Sequence, residues 1–456
     1  MKEKKGVSLI VLVITIIVMV ILAAAVIITI SNTSIIDRAE GAVEQTNYKM
    51  LKEYAQTVWA DAYASGKRTD AELSKAVTDA LAASKFDTSA YIIKADKNGV
   101  QVNTMPEEWK ANVTAVVAGV PIPKGFVASP YDGENTKDGG LVIYELQGNE
   151  TKIPSTETHQ QSLTGRNQYV WVPVEDMATF VRKDYTNPPT YELSSTYMEL
   201  SPSFQQSGFG SVEEALAMYA SVEEYGGFYI GRYEAGIENK RNAFSEAALT
   251  GANIYSRMGK IPYNYIPWHD VAETIYPVND SSNTTGVVST LIYGVQWDRT
   301  LAWFLETEAK DINENAIDFT NSTSYGNYIN TNIVASDLND GARVWNYTAD
   351  STSTGSYVSK DTAVLYPKVD STAGTSNAWL LTTGALKSSK INNIYDMAGN
   401  LAEWSKERGG MAMPVLRGGY FSYSNSDTKM FSIANRKEDI SQLENHGFRV
   451  SLYIKQ

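Results

Sequence analysis

The chain of 456 residues contains no cysteine. That excludes disulfides, thiolate metal sites, iron–sulfur clusters and thiol nucleophiles, and it leaves the compartment open. Histidine is nearly as scarce: His159, His269 and His446 lie far apart, so histidine spacing offers no material for a zinc or iron centre. Positive charge is in deficit. Lys and Arg number 39 against 52 Asp and Glu, a formal net charge of −13. Without a basic surplus to neutralise phosphates, nucleic acid is not an expected partner. No repeat with a period of 20–50 residues, no phosphate-cradling glycine loop and no Ser-His-Asp signature is present. Paired acids such as Glu213-Glu214 read as solvated helix charges. Hydrophobic residues make up 43% and charged residues 20%, which suffices for a core. At roughly 150 residues per domain, the length allows about two to three domains.

One long apolar run is present. Lys2 to Lys5 read KEKK, Gly6 follows, and Val7 to Ile30 are apolar apart from Ser8, Thr15 and Thr29. As a helix the run would be roughly 36 Å long, enough for a bilayer core of about 30 Å. The leading lysines predict a cytoplasmic amino terminus and an extracellular remainder. A cleaved signal peptide, with Ala23-Ala24-Ala25 near its cleavage point, and a plain membrane anchor are the rival readings. Beyond the run, Ile35, Ile36, Ala39, Ala42, Val43, Thr46, Met50, Tyr54, Val58 and Ala62 recur at helical steps. This predicts an amphipathic helix. A second helix is expected over about 70–83, and Tyr91–Ile93 with Val100–Val102 predict a hairpin around Asn98-Gly99.

The layout KEKKG-VSLIVLVITIIVMVILAAAVIITI resembles a type IV prepilin or pseudopilin amino terminus. The resemblance implies cleavage by a prepilin peptidase between Gly6 and Val7, and other pilin subunits as partners. Two positions depart from that family: Val7 stands where its Phe is usual, and Val11 where its glutamate is.

Residues 104–110 read as a polar linker containing Pro106. From Val116 the texture becomes irregular. Short strands are expected at Leu141–Ile143, Tyr169–Val172 and Phe228–Ile230, and helices at Val212–Val222 and Val295–Thr307. Between them run long Ser/Thr/Asn/Asp/Gly/Tyr stretches, such as 280–290 and 320–328. Such loops are unusual in compact domains and tend to be functional. The 28 Tyr and 9 Trp serve either as rigid gap-fillers among loops or as a recognition surface.

The carboxyl-terminal part carries Asn393-Ile-Tyr-Asp-Met-Ala-Gly-Asn-Leu-Ala-Glu-Trp404, Val415-Leu-Arg-Gly-Gly-Tyr420, Ala434-Asn-Arg436 and Gly447-Phe-Arg-Val450. Upstream stand Val120–Gly125, Tyr169–Pro173, Gly227–Gly236, Pro267-Trp268 and Tyr293–Asp298. Their order resembles the formylglycine-generating enzyme (sulfatase-modifying factor) family, over about residues 115–455. The resemblance implies a variant C-type lectin fold. It also implies a Ca²⁺ site from Asp396, carbonyls near Gly399 and Leu401, and Glu403, with a carboxylate simply bonded to its own turn as the alternative. The family's copper-binding cysteines would fall on Tyr423 and Thr428, and neither supplies a thiolate. From the residues themselves, Gly418-Gly419 predicts a close backbone approach. Trp404 is expected in the core, and Arg417, Arg436 and Arg449 on carboxylates or carbonyls.

The expected fold class is α+β: a long pilin-like helix with a small head, then an irregular C-type lectin-like domain. The divisions are a leader at 1–6, a membrane and pilin-like helix at 7–64, an α/β stalk at 65–112 and the large domain at 113–456. The expected function is non-catalytic: display or adhesion at the cell membrane or on a pseudopilus, with no required cofactor. An extracellular ligand would be met by Tyr420, Phe421, Tyr423, Asn425, Ser426, Asp427 and Thr428. A structural minor pilin, or an enzyme of altered chemistry in the same pocket, are the alternatives.

Overall fold

A computed structural model describes residues 34–185, 211–243, 245–246, 248–249, 253–273, 285–311, 314–329, 331–347, 357–363, 378–409, 413–422, 431–441 and 443–456. The Gly6–Val7 junction and the apolar run lie outside them. Among the described residues, no helix is long and apolar enough to cross a membrane. The chain is mixed α+β and divides into two compact units, Met1–Thr104 and Met105–Gln456.

In the first unit, α1 (Ser34–Ala64) and α2 (Asp70–Ala82) pack with the antiparallel hairpin β1 (Tyr91–Asp96) and β2 (Gly99–Thr104). Thr69 opens α2 with a reciprocal capping box to Glu72, which satisfies two otherwise free N–H groups. The core consists of Leu51, Ala55, Val77, Leu81 and Val102. The expected α1 stripe is therefore one position off at its centre. Met50 and Tyr54 are exposed, and Leu51 and Ala55 face inward instead. Small Ala55, fully buried, lets the neighbouring elements approach closely.

The second unit starts earlier than expected. Glu107–Ala111 form a 3₁₀ turn whose Trp109 is buried against Tyr225, with its indole N–H donating to Glu224 at 2.5 Å. The polar stretch around Pro106 is thus in part a docked turn, anchored by one large aromatic. Next come hairpin β3 (Val113–Val117) and β4 (Val120–Pro123), then β5 (Phe126–Ala128), β6 (Val142–Glu145), α3 (His159–Gly165), β7 (Gln168–Pro173), α4 (Val212–Tyr225) and β8 (Gly227–Gly231). The short pair β9 (Gly236–Ile237) and β10 (Ile261–Pro262) precedes α5 (Trp268–Glu273), β11 (Val287–Leu291) and α6 (Gly294–Glu306). Further on are β12 (Arg343–Tyr347), β13 (Val358–Ser359), β14 (Ala378–Leu381), β15 (Ala402–Arg408), β16 (Pro414–Arg417), β17 (Arg436–Glu438), β18 (His446–Phe448) and β19 (Val450–Ile454).

The main sheet runs β11-β19-β8-β7-β6-β5 and is antiparallel at every pairing. The last strand of the chain thus closes between two earlier ones. Every residue of β7 is buried, so both faces of this strand are covered. Val170 and Val172 join the core with α4 and α6, while Trp171 packs edge-on against Tyr229. Helix α4 begins at a Ser211–Glu214 capping box and ends at left-handed Gly226. Its Ala215, Met218, Tyr219 and Val222 follow helical spacing and are buried. A second sheet, β17-β16-β15-β18, pairs β15 and β18 in parallel, and a third, β13-β12-β14, stands apart.

Candidate functional site

The segment Asn392–Asn400 turns sharply because four of its residues adopt positive φ without being glycine: Asn392, Asn393, Asp396 and Asn400. Asn and Asp are the side chains that tolerate this region best. Two features result: a buried acid cluster and a polar pocket beside it.

In the cluster, Asp396 accepts from the Gly384 N–H at 2.5 Å and the Ser389 hydroxyl at 2.9 Å. Arg449 donates to both Glu403 oxygens at 3.0 and 2.7 Å, and to the carbonyls of Gly231 and Tyr395. Asn400 donates to Glu234 and to the Leu381 carbonyl, and accepts from Asn327. Leu401 is buried in a small apolar cluster, and the Gly399 N–H donates to the Gly418 carbonyl. Among the described residues, no group of three metal-ligating side chains forms. The two expected carboxylate ligands are held by protein groups, the alternative arrangement: all four of their oxygens accept from protein donors, and Glu403 is paired with the Arg449 guanidinium. Glu234 is fully buried, and its second oxygen has no partner. Burial, followed by the charges of Asp396 and Glu403, pushes its pKa well above the usual carboxylate range.

The pocket has a volume of about 270 Å³. Its walls come from six separate segments: the turn at Asp132–Glu134, the start of α3 at His159, Arg232 just after β8, Met258, Asn339 and Asp340, and the stretch from Lys387 to Tyr395. Asn393 joins two of them, its amide donating to the carbonyls of Gly133, Gly139 and Gly140 at 2.7, 3.1 and 2.9 Å. Glycine is required at 140, because a Cβ there would lie 2.0 Å from the Asn392 carbonyl oxygen.

At the floor, Glu134 is saturated. One oxygen meets Arg232 Nη1 at 2.7 Å and His159 Nε2 at 2.9 Å; the other accepts from Ser129 and Tyr144 at 2.7 and 2.8 Å. Burial raises its pKa, and Arg232 with these donors more than offsets that, leaving it below the ordinary value. Arg232 is buried beside the stacked rings of Tyr233 and Tyr395, 5.7 Å from each centroid, and its Nε has no partner. Lys390 stands exposed at the edge and makes no side-chain hydrogen bond or ion pair among the described residues. Partial burial of its ammonium and repulsion from Arg232 lower its pKa. Tyr131 stacks on His159 at 4.1 Å. Asp132 and Asp340 are exposed at the rim.

The expected ligand patch is corrected at two of its residues. Tyr420 is 9% exposed and packs in a core cluster with Trp404 and Phe448, and Phe421 is fully buried beside Leu401. Both rings point inward because the backbone at Gly418-Gly419 takes positive φ and returns the chain to the core. Tyr423, Asn425, Ser426, Asp427 and Thr428 lie outside the described residues. The arginines sit on carboxylates. Arg417 bonds Glu407 at 2.7 Å and Asp298 at 2.8 Å, Arg436 and Arg182 share the same two acids, and all five side chains are buried.

Arg232, Glu134 and Lys390 were not among the sequence candidates. Arg232 lay within the quoted Gly227–Gly236 run, and its polarity between buried strand residues was the available signal. No known family model and no curated protein matches the chain. Among solved structures, it is similar to Treponema denticola variable protein 1 at 12% identity, over 72% of this chain and 99% of that chain, with a TM-score of 0.21. A TM-score this low carries no argument about fold or function.

Proposed function

We propose that this chain is a non-catalytic binding protein displayed at the cell surface. In this reading its large unit is a C-type lectin-like scaffold of the kind its motifs resemble. The prepilin-like amino terminus, cut between Gly6 and Val7, supplies the membrane anchor. The observation that carries binding over catalysis is the state of the pocket's acid. Glu134 makes three hydrogen bonds and an ion pair with Arg232 and is biased towards its anion, so both its oxygens are engaged and its pKa does not suit general base work. The cations beside it, in contrast, keep unused donors. A rigid, pre-bonded lining with a few uncommitted polar groups suits recognition.

The test is protease treatment of intact cells expressing the full chain, with mass spectrometry of the purified protein. The expected result is release of fragments from residues 105–456 and a mature terminus at Val7. Full protection of the large unit, or a terminus at Met1 or just after Ala25, contradicts the reading.

A further inference from the structure

Resting on that binding reading, we propose that the pocket between Arg232 and Lys390 takes a small hydroxylated monocarboxylate, of the size of a single hexuronic acid. Three observations converge on it. The first is an imbalance in pairing. The pocket's buried acid is consumed by Arg232, His159, Ser129 and Tyr144, whereas Lys390 has no partner among the described residues and Arg232 retains a buried Nε without one. An anion placed beside Lys390 gains a charge-assisted contact, and no protein carboxylate has to be displaced.

The second observation is the charge of the lining. Lys387, Lys390 and Arg232 face Asp132, Glu134 and Asp340, so the formal charges cancel. A dianion gains little from a wall with no net charge and is repelled by Glu134. A monoanion on the Lys390 side meets less of that repulsion than a dianion does, though the Glu134 charge reaches Lys390 as well. The third is polarity and size. The rim carboxylates Asp132 and Asp340 accept from hydroxyls, and the amides of Gln160 and Asn339 complement them. A volume of about 270 Å³ lies just below the usual span of drug-sized ligand pockets and suits one ring.

The experiment is calorimetric titration of the full chain in detergent with D-glucuronate, D-glucose and inorganic phosphate. D-Glucuronate and D-glucose differ only at one carbon, a carboxylate against a hydroxymethyl group. The expected result is that glucuronate binds at least tenfold more tightly than glucose, and that phosphate binds no better than glucose. Lys390→Gln should weaken glucuronate about tenfold, leave glucose unchanged and keep the melting temperature, since this lysine holds nothing in the free protein. Three results overturn the proposal: equal binding of the two sugars, tighter binding of phosphate, or undiminished glucuronate binding by Lys390→Gln. Absence of glucuronate binding at tens of millimolar overturns it too. A glycan-array hit that is neutral, and is lost when Gln160→Trp fills the mouth, would remove the carboxylate assignment and leave the binding reading intact.

Discussion

His446 shows how one buried side chain ties stability to pH. It is fully buried against Trp404 and Tyr420, its Nδ1–H donates to the Ser441 carbonyl at 2.9 Å, and its Nε2 has no partner. Protonation would place a second N–H in a site without an acceptor. Burial accordingly lowers its pKa from the ordinary 6.5 to about 4. The folded pKa lies below the unfolded one, so the stability this residue confers is complete above pH 6.5. It is lost as pH falls from 6.5 towards 4. A depression of that size corresponds to about 3 kcal/mol. His446→Asn keeps a donor near the Nδ1 position and cannot take up a proton. Urea midpoints measured from pH 7 to 4 are expected to fall less steeply in this variant by about that amount. An unchanged slope would mean that other groups carry the acid sensitivity.

At the scale of elements, regular pieces were legible and irregular ones were not. Helices α4 and α6 follow the 3.6-residue apolar spacing, and the β1–β2 hairpin follows its Asn-Gly turn; their boundaries differ from expectation by a few residues at most. The close approach expected at Gly418-Gly419 is present as well. A Cβ on Gly418, whose φ is +84°, would lie 2.5 Å from the Met397 carbonyl oxygen. The α1 face was misread because the apolar residues flanking the true stripe, Met50 and Tyr54, repeat at the same interval. The pocket was illegible for another reason. Its walls come from six segments spread over more than half the chain, and they meet through contacts such as Asn393 to Gly133, which leave no local period. Gly418 offers a direct measure of an element-scale constraint. Gly418→Ala is expected to cost about 2 kcal/mol or more, from left-handed strain plus the clash. Gly341→Ala has a similar φ of +79° and open space around it, so it carries the strain alone. Equal urea midpoints for the two variants would show that the Met397 backbone yields freely.

Across the large unit, one charge network joins distant parts of the sequence. Arg182, Asp298 on α6, Glu407 on β15, Arg417 on β16 and Arg436 on β17 are all nearly or fully buried. Three guanidiniums therefore share two carboxylates, with Asp184 adding a longer contact to Arg436 at 3.7 Å. Such a network gains little over an apolar core while it is complete, because desolvation offsets most of the attraction. Damage to it is nevertheless costly, and the cost depends on sign. Asp298→Asn leaves three buried cations around Glu407 and turns one of the two oxygens that accept from Arg182, Arg417, Arg436 and the Lys183 N–H into an NH2 donor. Arg182→Met leaves two cations on two acids, and Arg436 still bonds both oxygens that Arg182 gives up. Asp298→Asn is therefore expected to destabilise the unit by about 3–5 kcal/mol, and Arg182→Met by distinctly less. Urea unfolding of the full chain, followed by tryptophan fluorescence, reads both, since Trp297 lies 5.3 Å from the Arg417 guanidinium. A larger loss from Arg182→Met than from Asp298→Asn would refute the idea that the two fully buried acids hold these three guanidiniums together.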